Sequence, residues 1–286
     1  MPELPETETI ARDLHAAVVH AVVARVTVHR EDVLREITPK HLAGTLPGAR
    51  IIRVWRRAKL VVLDLEARSN PNESAPAAIG HIVVQPRFTG ALLLDDGTLP
   101  ADQLEYLTVT FDLEDNRALH YRDVRRLGTL SFMSRDRFVE YTNKLGPEPL
   151  DDGLTDALFS GLVRASRRPV KTLLMDQSRL AGVGNIYANE ALWRAGIDPS
   201  RVAASLTHIE AATLLVELRA VLTASIAARG TSFRDYRDAR GQRGSFVEQL
   251  SVYGRGGEPC RKCGRRLIDT QAIDGRTTVF CAYCQR

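Results

Sequence analysis

Cysteine and long apolar runs are scarce in this 286-residue sequence. It contains only 4 cysteines, none of them before Cys260, so disulfide bonds cannot be the main support of the fold. A chain of this length can instead bury a hydrophobic core of its own. No segment approaches the roughly 18 apolar residues that a membrane-spanning helix needs, and no basic segment leads into an apolar stretch at the N-terminus. We therefore expect a soluble, intracellular protein.

A strong excess of one charge is absent from the chain as a whole, but its two parts differ. The formal net charge is +4. Residues 1–160 contain 19 basic and 24 acidic side chains, whereas residues 161–286 contain 20 basic and 11 acidic ones. The basic second part favours a polyanionic partner, with nucleic acid as the first candidate. A basic surface that is merely solvated is the alternative, and charge alone does not separate the two.

Short β-prone segments separated by turns fill the region from Val22 to Phe132. Their alternation of apolar and polar residues predicts an antiparallel sheet domain, which we interpret as a sandwich. An amphipathic helix is predicted ahead of this domain at Thr7–Val19. The segment SNPNESAP at Ser69–Pro76 is predicted to be a flexible loop within it.

The pattern becomes helical after a segment rich in Pro, Gly and Asp at Leu145–Gly153. Four helices are predicted, and the last begins with a Thr207-x-x-Glu210 capping box. Their ranges are Leu154–Ser166, Pro169–Gln177, Asn185–Ala195 and Thr207–Ala228. The predicted fold is α+β and multidomain, with a β-sandwich domain and its flanking helix at 1–134, a linker at 135–152, a helical domain at 153–253 and a terminal β-hairpin module at 254–286.

All four cysteines lie in the last 27 residues and form two CxxC pairs with 17 residues between them. Two such pairs can supply four thiolates to one tetrahedral zinc ion. Two disulfides or a redox pair are the alternatives, but an intracellular chain without other cysteines favours the metal. Because sulfur fills all four positions, the zinc is expected to be structural rather than catalytic. The predicted ligands are Cys260, Cys263, Cys281 and Cys284.

Two further segments are candidates for binding a phosphate group. Gly182 and Gly184 precede a predicted helix, where glycines let backbone N–H groups approach an anion, and Asn185 is expected at the N-cap. An ordinary turn between helices is the alternative for this segment. Between the two CxxC pairs the sequence predicts a β-hairpin with Asp274-Gly275 at its tip. Arg276 follows directly, so a rigid hairpin can place this arginine in a groove.

Motifs along essentially the whole chain resemble one enzyme family. They are MPELPETET at the start, RRAK at Arg56–Lys59, YRDVRRLG at Tyr121–Gly128, LGPEPL, AGVGNIYANE at Ala181–Glu190, VYGRGGEPC and the two CxxC pairs. Together they are similar to bacterial formamidopyrimidine-DNA glycosylases, and Pro2-Glu3-Leu4 is closer to these enzymes than to their relative endonuclease VIII. The resemblance implies a bifunctional glycosylase and AP lyase that removes 8-oxoguanine and formamidopyrimidines from duplex DNA. It also implies that the helical domain is a helix-two-turn-helix domain and the hairpin module a zinc finger.

The resemblance assigns roles to individual residues. Pro2, freed by removal of Met1, would attack C1′ of the damaged nucleotide, and the iminium formed would be the electron sink for β,δ-elimination. Glu3 would be the acid/base group that assists opening of the sugar. Lys59 would be the active-site lysine, contacting a phosphate or the lesion. Asn185 and Arg276 would correspond to the family's phosphate contacts.

Two loops depart from the family pattern at the positions that fill the gap left by an everted base. The family places a methionine in one loop and an arginine and a phenylalanine in the other. Here Phe88 stands at the methionine position, Arg125 keeps the arginine, and Leu127 replaces the phenylalanine. We expect base eversion to be retained, but the two departures do not indicate which base opposite the lesion is preferred. The segment Gly230–Phe246 resembles the loop that covers an everted oxidised purine, which favours purine lesions.

Two other functions fit many of the same motifs. An oxidised-pyrimidine glycosylase of the endonuclease VIII type would share the mechanism and differ in the pocket. A non-catalytic zinc-finger DNA-binding protein would not need Pro2, Glu3 and Lys59 together, so we favour the enzyme. We expect damaged double-stranded DNA as the partner, a monomeric protein, no membrane contact, and a location in the bacterial cytoplasm at the nucleoid.

Overall fold

The computed structural model describes residues 2–67, 78–233 and 235–286. The predicted loop at Ser69–Pro76 and the removal of Met1 lie outside these ranges. The chain divides into two compact units. Unit 1 comprises Met1–Asn143 and Ala228–Ser245, and unit 2 comprises Lys144–Ala227 and Phe246–Arg286. Within the described ranges, no helix combines the length and the hydrophobicity needed to cross a bilayer.

Among its described residues, unit 1 contains two sheets and three α-helices. The helices are α1 (Leu4–Val18), α2 (Pro39–Thr45) and α3 (Arg135–Thr142). The strands are β1 (Val23–Val28), β2 (Leu34–Arg35), β3 (Arg50–Arg57), β4 (Leu60–Glu66), β5 (Ala78–Gln85), β6 (Gly90–Asp95), β7 (Leu107–Leu113), β8 (Ala118–Asp123) and β9 (Thr129–Met133). One sheet has the order β1-β7-β8-β6 and the other β2-β9-β5-β4-β3. The predicted sheet domain is therefore confirmed.

One strand pair departs from the antiparallel prediction. β2 pairs with β9 in parallel, with Leu34 opposite Leu130. β2 has only 2 residues and follows a short 3-10 turn at Glu31–Val33. A strand this short can join a sheet edge in either direction, because the turn before it sets the direction of the chain. Alternating hydrophobicity carries no information on that choice.

Helix α1 packs its apolar face into the core of unit 1. Ile10, Leu14 and Val18 recur at every fourth position, and all three are fully buried in the same hydrophobic cluster as the strand residues. This spacing is what places side chains on one face of a helix. The helix begins at Leu4, earlier than the predicted Thr7, because a proline is tolerated in the first turn of a helix and Pro5 occupies that turn.

Unit 2 contains four helices and a hairpin. They are α4 (Asp156–Arg164), α5 (Val170–Met175), α6 (Asn185–Ala195), α7 (His208–Ala227), β10 (Ile268–Thr270) and β11 (Thr278–Phe280). The predicted capping box of α7 is present, since Glu210 Oε2 accepts the N–H of Thr207 at 2.7 Å and Thr207 Oγ1 accepts the N–H of Glu210 at 3.2 Å. α6 ends at Gly196, whose φ of 72° is the left-handed conformation that glycine adopts most easily.

The segment Ala228–Ser245 belongs to unit 1, although it lies inside the predicted helical segment 153–253. Tyr236 and Ala239 are buried members of the hydrophobic core of unit 1. Ala239 also accepts a hydrogen bond from the backbone N–H of Leu94 in β6 at 2.9 Å. The chain thus returns to the sheet unit after α7 and then leaves it again. The remaining predicted domain bounds stay a prediction.

Candidate functional site

The N-terminal residues are buried at the start of α1. Pro2 is buried, and Glu3 is only 1 % exposed. Glu3 is the N-cap residue of α1, and its backbone N–H donates to Glu6 Oε2 at 2.8 Å. Because the first turn of a helix has unpaired N–H groups and a positive dipole end, carboxylates are stabilised there. Pro2 and Glu3, the predicted nucleophile and acid/base group, therefore sit on a rigid helix start.

Glu6 connects this helix start to the segment after α7. Its side chain is fully buried, and Oε1 accepts the N–H of Thr231 at 2.8 Å. The hydroxyl of Tyr236 lies 3.4 Å from the carbonyl oxygen of Glu6. Gly230 has a φ of +87°, and a Cβ atom added there would lie 3.0 Å from Glu6 Cγ. The predicted lesion-covering loop is thus anchored one helical turn from Glu3.

Arg229 and Asp238 fix the first part of this loop. The guanidinium of Arg229 pairs with Asp13 of α1 and with Asp238. Burial opposes the charge of Arg229, but hydrogen bonds to these two carboxylates raise its pKa above the ordinary value. Asp238 is fully buried and accepts the N–H groups of Arg240 and Gln242. The loop is therefore fixed at its start and near its middle by ion pairs and backbone hydrogen bonds together.

Lys59 lies in the two-residue turn between β3 and β4, where it is half-buried. Its neighbour Ala58 is buried with a φ of +53°, an uncommon backbone conformation for a residue other than glycine. The carbonyl of Ala58 accepts hydrogen bonds from Arg56 Nη1 at 3.1 Å and from Thr7 Oγ1 at 3.4 Å. Arg56 also pairs with Glu8 at 2.8 Å. These contacts place the backbone of the turn beside the first turns of α1.

The three predicted gap-filling residues lie on two neighbouring loops of unit 1. Phe88 is 46 % exposed and Leu127 is 39 % exposed, so both apolar side chains are accessible at the surface. Arg125 is also exposed, and its Cζ lies 5.3 Å from the centroid of the Phe88 ring. This distance is within the range of a cation–π interaction. The structure therefore brings together the residues that the two loop motifs indicated.

The four cysteines form one cluster in unit 2. Their sulfur atoms all lie within 4.8 Å of one another, and the thiols are free. A tetrahedral zinc ion with Zn–S bonds of about 2.3 Å separates its sulfurs by about 3.8 Å, so the cluster has dimensions that fit this ion. The indole N–H of Trp193 lies 3.4 Å from Cys260 Sγ. Burial opposes ionisation of Cys260, but hydrogen bonds from Trp193 and from backbone N–H groups lower its pKa.

The structure corrects the predicted role of Asn185 as an N-cap. Gly184 is the N-cap of α6, and Asn185 is the first helical residue. The side chain of Asn185 donates to the carbonyl of Thr277 in the hairpin at 2.9 Å. An N-cap side chain accepts from the helix, whereas this one holds the residue beside Arg276. Arg276 itself is exposed.

Sequence reasoning missed the buried polar residues that attach the hairpin to the helices. Lys171 of α5 is 0 % exposed, and its Nζ lies 2.8 Å from Thr278 Oγ1 and 3.2 Å from Asp274 Oδ1. Asn189 Oδ1 accepts the N–H of Val279 at 2.8 Å. A lysine on a short helix gives no local sign of burial, whereas Asn189 belongs to the recognised AGVGNIYANE motif.

Glu190, the last residue of that motif, is likewise fully buried. Its two carboxylate oxygens accept the N–H groups of Ser251, Val252 and Tyr253 at 2.8 to 3.0 Å. These residues lie shortly before the first CxxC pair. Helix α6 therefore holds the four-cysteine module from both sides, through Asn185 and Asn189 at the hairpin and through Glu190 at the entry segment.

Known protein families match both units. The formamidopyrimidine-DNA glycosylase N-terminal domain matches residues 1–130, and the formamidopyrimidine-DNA glycosylase H2TH domain matches residues 145–237. The chain is 38 % identical over 289 residues to a protein of Heliobacterium modesticaldum named formamidopyrimidine-DNA glycosylase, with 100 % of both chains covered.

Solved structures show the same fold. Wild-type Fpg (MutM) of Lactococcus lactis in complex with DNA containing N7-benzyl-Fapy-dG matches with a TM-score of 0.87 and 28 % identity, and all of both chains is covered (100 %). The same protein in complex with DNA containing an oxidised pyrimidine matches with a TM-score of 0.86, at 28 % identity and with 100 % of both chains covered.

Proposed function

Because the chain belongs to the formamidopyrimidine-DNA glycosylase family, we propose that it excises oxidised purines from duplex DNA through a covalent adduct on Pro2. The family makes it a DNA glycosylase of base excision repair with AP lyase activity. The observation that carries the proposal is the placement of Pro2 and Glu3 at a buried helix start, to which the loop beginning at Gly230 is anchored through Glu6.

Pro2 supplies a secondary amine when Met1 has been removed. An ordinary α-amino group has a pKa of about 8, so a nucleophilic fraction exists near neutral pH. Attack on C1′ displaces the damaged base and forms a C1′–N bond. The C1′–O4′ bond of the sugar then breaks, O4′ takes up a proton, and the nitrogen lone pair forms an iminium that is cationic without itself being protonated. It withdraws electrons from the sugar, so that the 3′ phosphate and then the 5′ phosphate can leave by elimination. Hydrolysis of the iminium returns the free amine.

Glu3 is the proposed acid/base group. Its side chain belongs to the residue that follows the nucleophile, and the hydrogen bond from its own N–H to Glu6 fixes the backbone between them. A fixed geometry favours proton transfer to and from the opening sugar ring, because the reacting groups need no further ordering. Lys59 is the proposed contact to a phosphate or to the lesion, from a turn beside α1.

The anchored loop supports an oxidised purine as the substrate. The ion pair between Arg229 and Asp238 holds its first part, and Phe233, which lies between these two residues, is 44 % exposed. A segment fixed on both sides of an exposed aromatic side chain is suited to covering a flat, extrahelical base. The solved relative was crystallised with purine-derived and pyrimidine lesions. An oxidised-pyrimidine glycosylase is therefore the second candidate, and it uses the same Pro2 chemistry.

Unit 2 is the proposed DNA-anchoring part. Arg276 is exposed on the hairpin that Asn185 holds through Thr277, and residues 161–286 contain 20 basic against 11 acidic side chains. Contacts of this kind give affinity that is independent of sequence and falls as salt rises. We propose that the partner is damaged double-stranded DNA, bound by a monomer in the bacterial cytoplasm at the nucleoid.

The four cysteines are the proposed ligands of one structural zinc ion. Four thiolates complete a tetrahedral shell and leave no position for water or substrate. The ion would therefore hold the hairpin that carries Arg276 and take no part in the reaction. Trp193 and the backbone N–H groups around Cys260 would stabilise the thiolate charge.

Trapping with borohydride tests the chemistry. Duplex DNA carrying 8-oxoguanine opposite cytosine is incubated with wild type, Pro2→Gly and Glu3→Gln, and covalent adducts are separated on a denaturing gel. The wild type should give an adduct, because borohydride reduces the iminium to a stable amine, and Pro2→Gly should lose most of it. Intact-protein mass spectrometry shows whether Met1 has been removed. A processed wild type that gives no adduct, even with abasic DNA, would overturn the proposal.

The same assay separates the substrate candidates. Duplexes carrying 8-oxoguanine, a formamidopyrimidine or an oxidised pyrimidine are compared in single-turnover excision. Faster excision of the two purine-derived lesions supports the proposal, and faster excision of the pyrimidine supports the second candidate. A non-catalytic DNA-binding protein would bind all three duplexes and leave them uncut.

A further inference from the structure

The two loops that carry Phe88 and Arg125 adjoin neighbouring points of one sheet, where the first ends and the second begins. Gly90 of β6 is directly opposite Asp123 of β8 in the antiparallel register. The first loop enters β6 and contains Phe88, and the second leaves β8 and contains Arg125 and Leu127. The loops are close even at the level of the backbone, because a Cβ atom added to Gly128 would lie 2.9 Å from the carbonyl oxygen of Pro86.

Thr89 and Asp123 join the two loops by buried hydrogen bonds. Thr89 Oγ1 donates to Asp123 Oδ1 and accepts the N–H of Arg125 at 2.9 Å. The other carboxylate oxygen of Asp123 accepts the N–H of Gly128 at 2.7 Å. Both side chains are buried, whereas Phe88 and Arg125 next to them are exposed. One hydroxyl and one carboxylate thus tie together three points on the two loops.

The backbone beside the exposed residues is strained. Arg87 precedes Phe88 with a φ of +52°, and Arg126 lies between Arg125 and Leu127 with a φ of +53°. Long side chains rarely adopt this left-handed conformation, and they keep it only where the surroundings determine it. Hydrogen bonds from neighbouring buried groups can supply that determination.

We propose that Thr89 and Asp123 are positioning residues that join the two loops into one wedge, in which Phe88 and Arg125 enter DNA as a stacked pair. The inference rests on the proposed function and concerns base eversion, not the chemical step. Neither Thr89 nor Asp123 needs to touch DNA. Filling the gap left by an everted base offsets the cost of unstacking only if the wedge is already rigid, because ordering two loops during eversion would add a cost of its own.

The Thr89→Val variant removes the hydroxyl and keeps the shape of the side chain. We expect its single-turnover excision of 8-oxoguanine from duplex DNA to fall by about 10-fold or more, the loss expected when a wedge must be ordered during eversion. Strand cleavage at a preformed abasic site should change by less than about 3-fold, since no base has to be unstacked there. Thr89→Ser keeps the hydroxyl and should restore excision.

Thr98→Val is the matched control. Thr98 Oγ1 also donates to an aspartate, Asp96, but at an exposed turn of the same unit. This variant should excise 8-oxoguanine at the wild-type rate. If Thr89→Val lowered abasic-site cleavage as much as excision, the role of Thr89 would be general to the fold and the proposal would be wrong.

A double-mutant cycle decides whether Thr89 acts through Phe88. If Thr89 and Asp123 only position the wedge, Thr89→Val should add less than about 2-fold to the loss of excision rate already caused by Phe88→Ala, because coupled residues give non-additive effects. Losses that multiply would show independent roles and overturn the proposal. A wild type that cuts neither substrate would instead contradict the proposed function, so the two failures are distinguishable.

Discussion

Replacing Lys171 with methionine tests how unit 2 holds the hairpin that carries Arg276. The ammonium group is fully buried and lies 3.2 Å from Asp274 Oδ1. The side chain of Asp274 is only 8 % exposed, and it also accepts the N–H of Arg276 at 3.0 Å. Methionine fills a similar volume without a charge. The variant therefore keeps the packing and leaves the carboxylate of Asp274 without this cation.

The expected cost follows from the burial of the pair. Removing one partner of a buried ion pair lowers the stability of the folded protein by about 3–5 kcal/mol. Asp274 lies at the edge of a hairpin and can turn partly towards water, so we expect the lower end, about 3 kcal/mol, or slightly more than a 100-fold change in a local opening equilibrium. The penalty should appear at the hairpin, because that is where the uncompensated charge lies.

Amide hydrogen exchange measures this local effect. In Lys171→Met, the amides of β10 and β11 should exchange about 100-fold faster, while the sheets of unit 1 keep their protection. The slope of log affinity for an abasic-site analogue against log salt should also fall by about 0.9, the loss of one phosphate contact. Adding Asp274→Asn, which removes the charge and keeps an acceptor for Arg276, should restore most of the protection. Unchanged hairpin exchange in the single variant would refute the reasoning.

Three further outcomes follow from single contacts. The hydrogen bond from Arg201 lowers the pKa of Glu210 from 4.5 to about 2. The stabilising contribution of Glu210 is therefore complete above pH 4.5 and is lost as the pH falls through 2. When thermal unfolding is measured at decreasing pH, Glu210→Gln should lose less stability in this range than the wild type. Gly128→Ala should slow excision from duplex DNA in single-turnover assays, since the new Cβ would lie 2.0 Å from Tyr121 Oη. Cys281→Ala, or treatment with a chelator, should raise the Kd for abasic-analogue DNA in titrations, yet leave borohydride trapping intact at saturating DNA, because the proposed zinc ion would hold the hairpin and not the nucleophile.

The elements of the fold could be predicted from local patterns. Periodic apolar residues in α1 and the capping box at Thr207 are short-range signals, and both correspond to observed helices. The parallel pairing of β2 was not predictable, because a 2-residue strand has no periodicity to read. The return of Ala228–Ser245 to unit 1 was also missed. It depends on Glu6 and Asp13, more than 200 positions earlier in the sequence.

The candidate site was predictable where its chemistry uses distinctive residues. Four cysteines in two CxxC pairs indicate a metal cluster by spacing alone, and their sulfurs do converge. Asn185 shows the opposite case. Its position after glycines predicted a cap, but Gly184 can take the extended N-cap conformation, and a carbonyl of the hairpin competes for the amide of Asn185. Local sequence rules had assigned Asn185 to the N-cap, but its long-range hydrogen bond to the hairpin gives it a different role.

Buried carboxylates explain why these loops need specific acids rather than general polarity. Glu6, Asp123, Asp238 and Glu190 are all nearly inaccessible, and each accepts at least one backbone N–H of a functional segment. A buried charge is costly unless it is hydrogen-bonded, but an ionised carboxylate offers about four acceptor positions and no donor. It can therefore fix several N–H groups of a loop that lacks secondary structure. An amide in its place would turn one acceptor into a donor, which would face a backbone N–H at Asp123 and the guanidinium of Arg229 at Asp238, so even the isosteric change should loosen the segment that each acid holds.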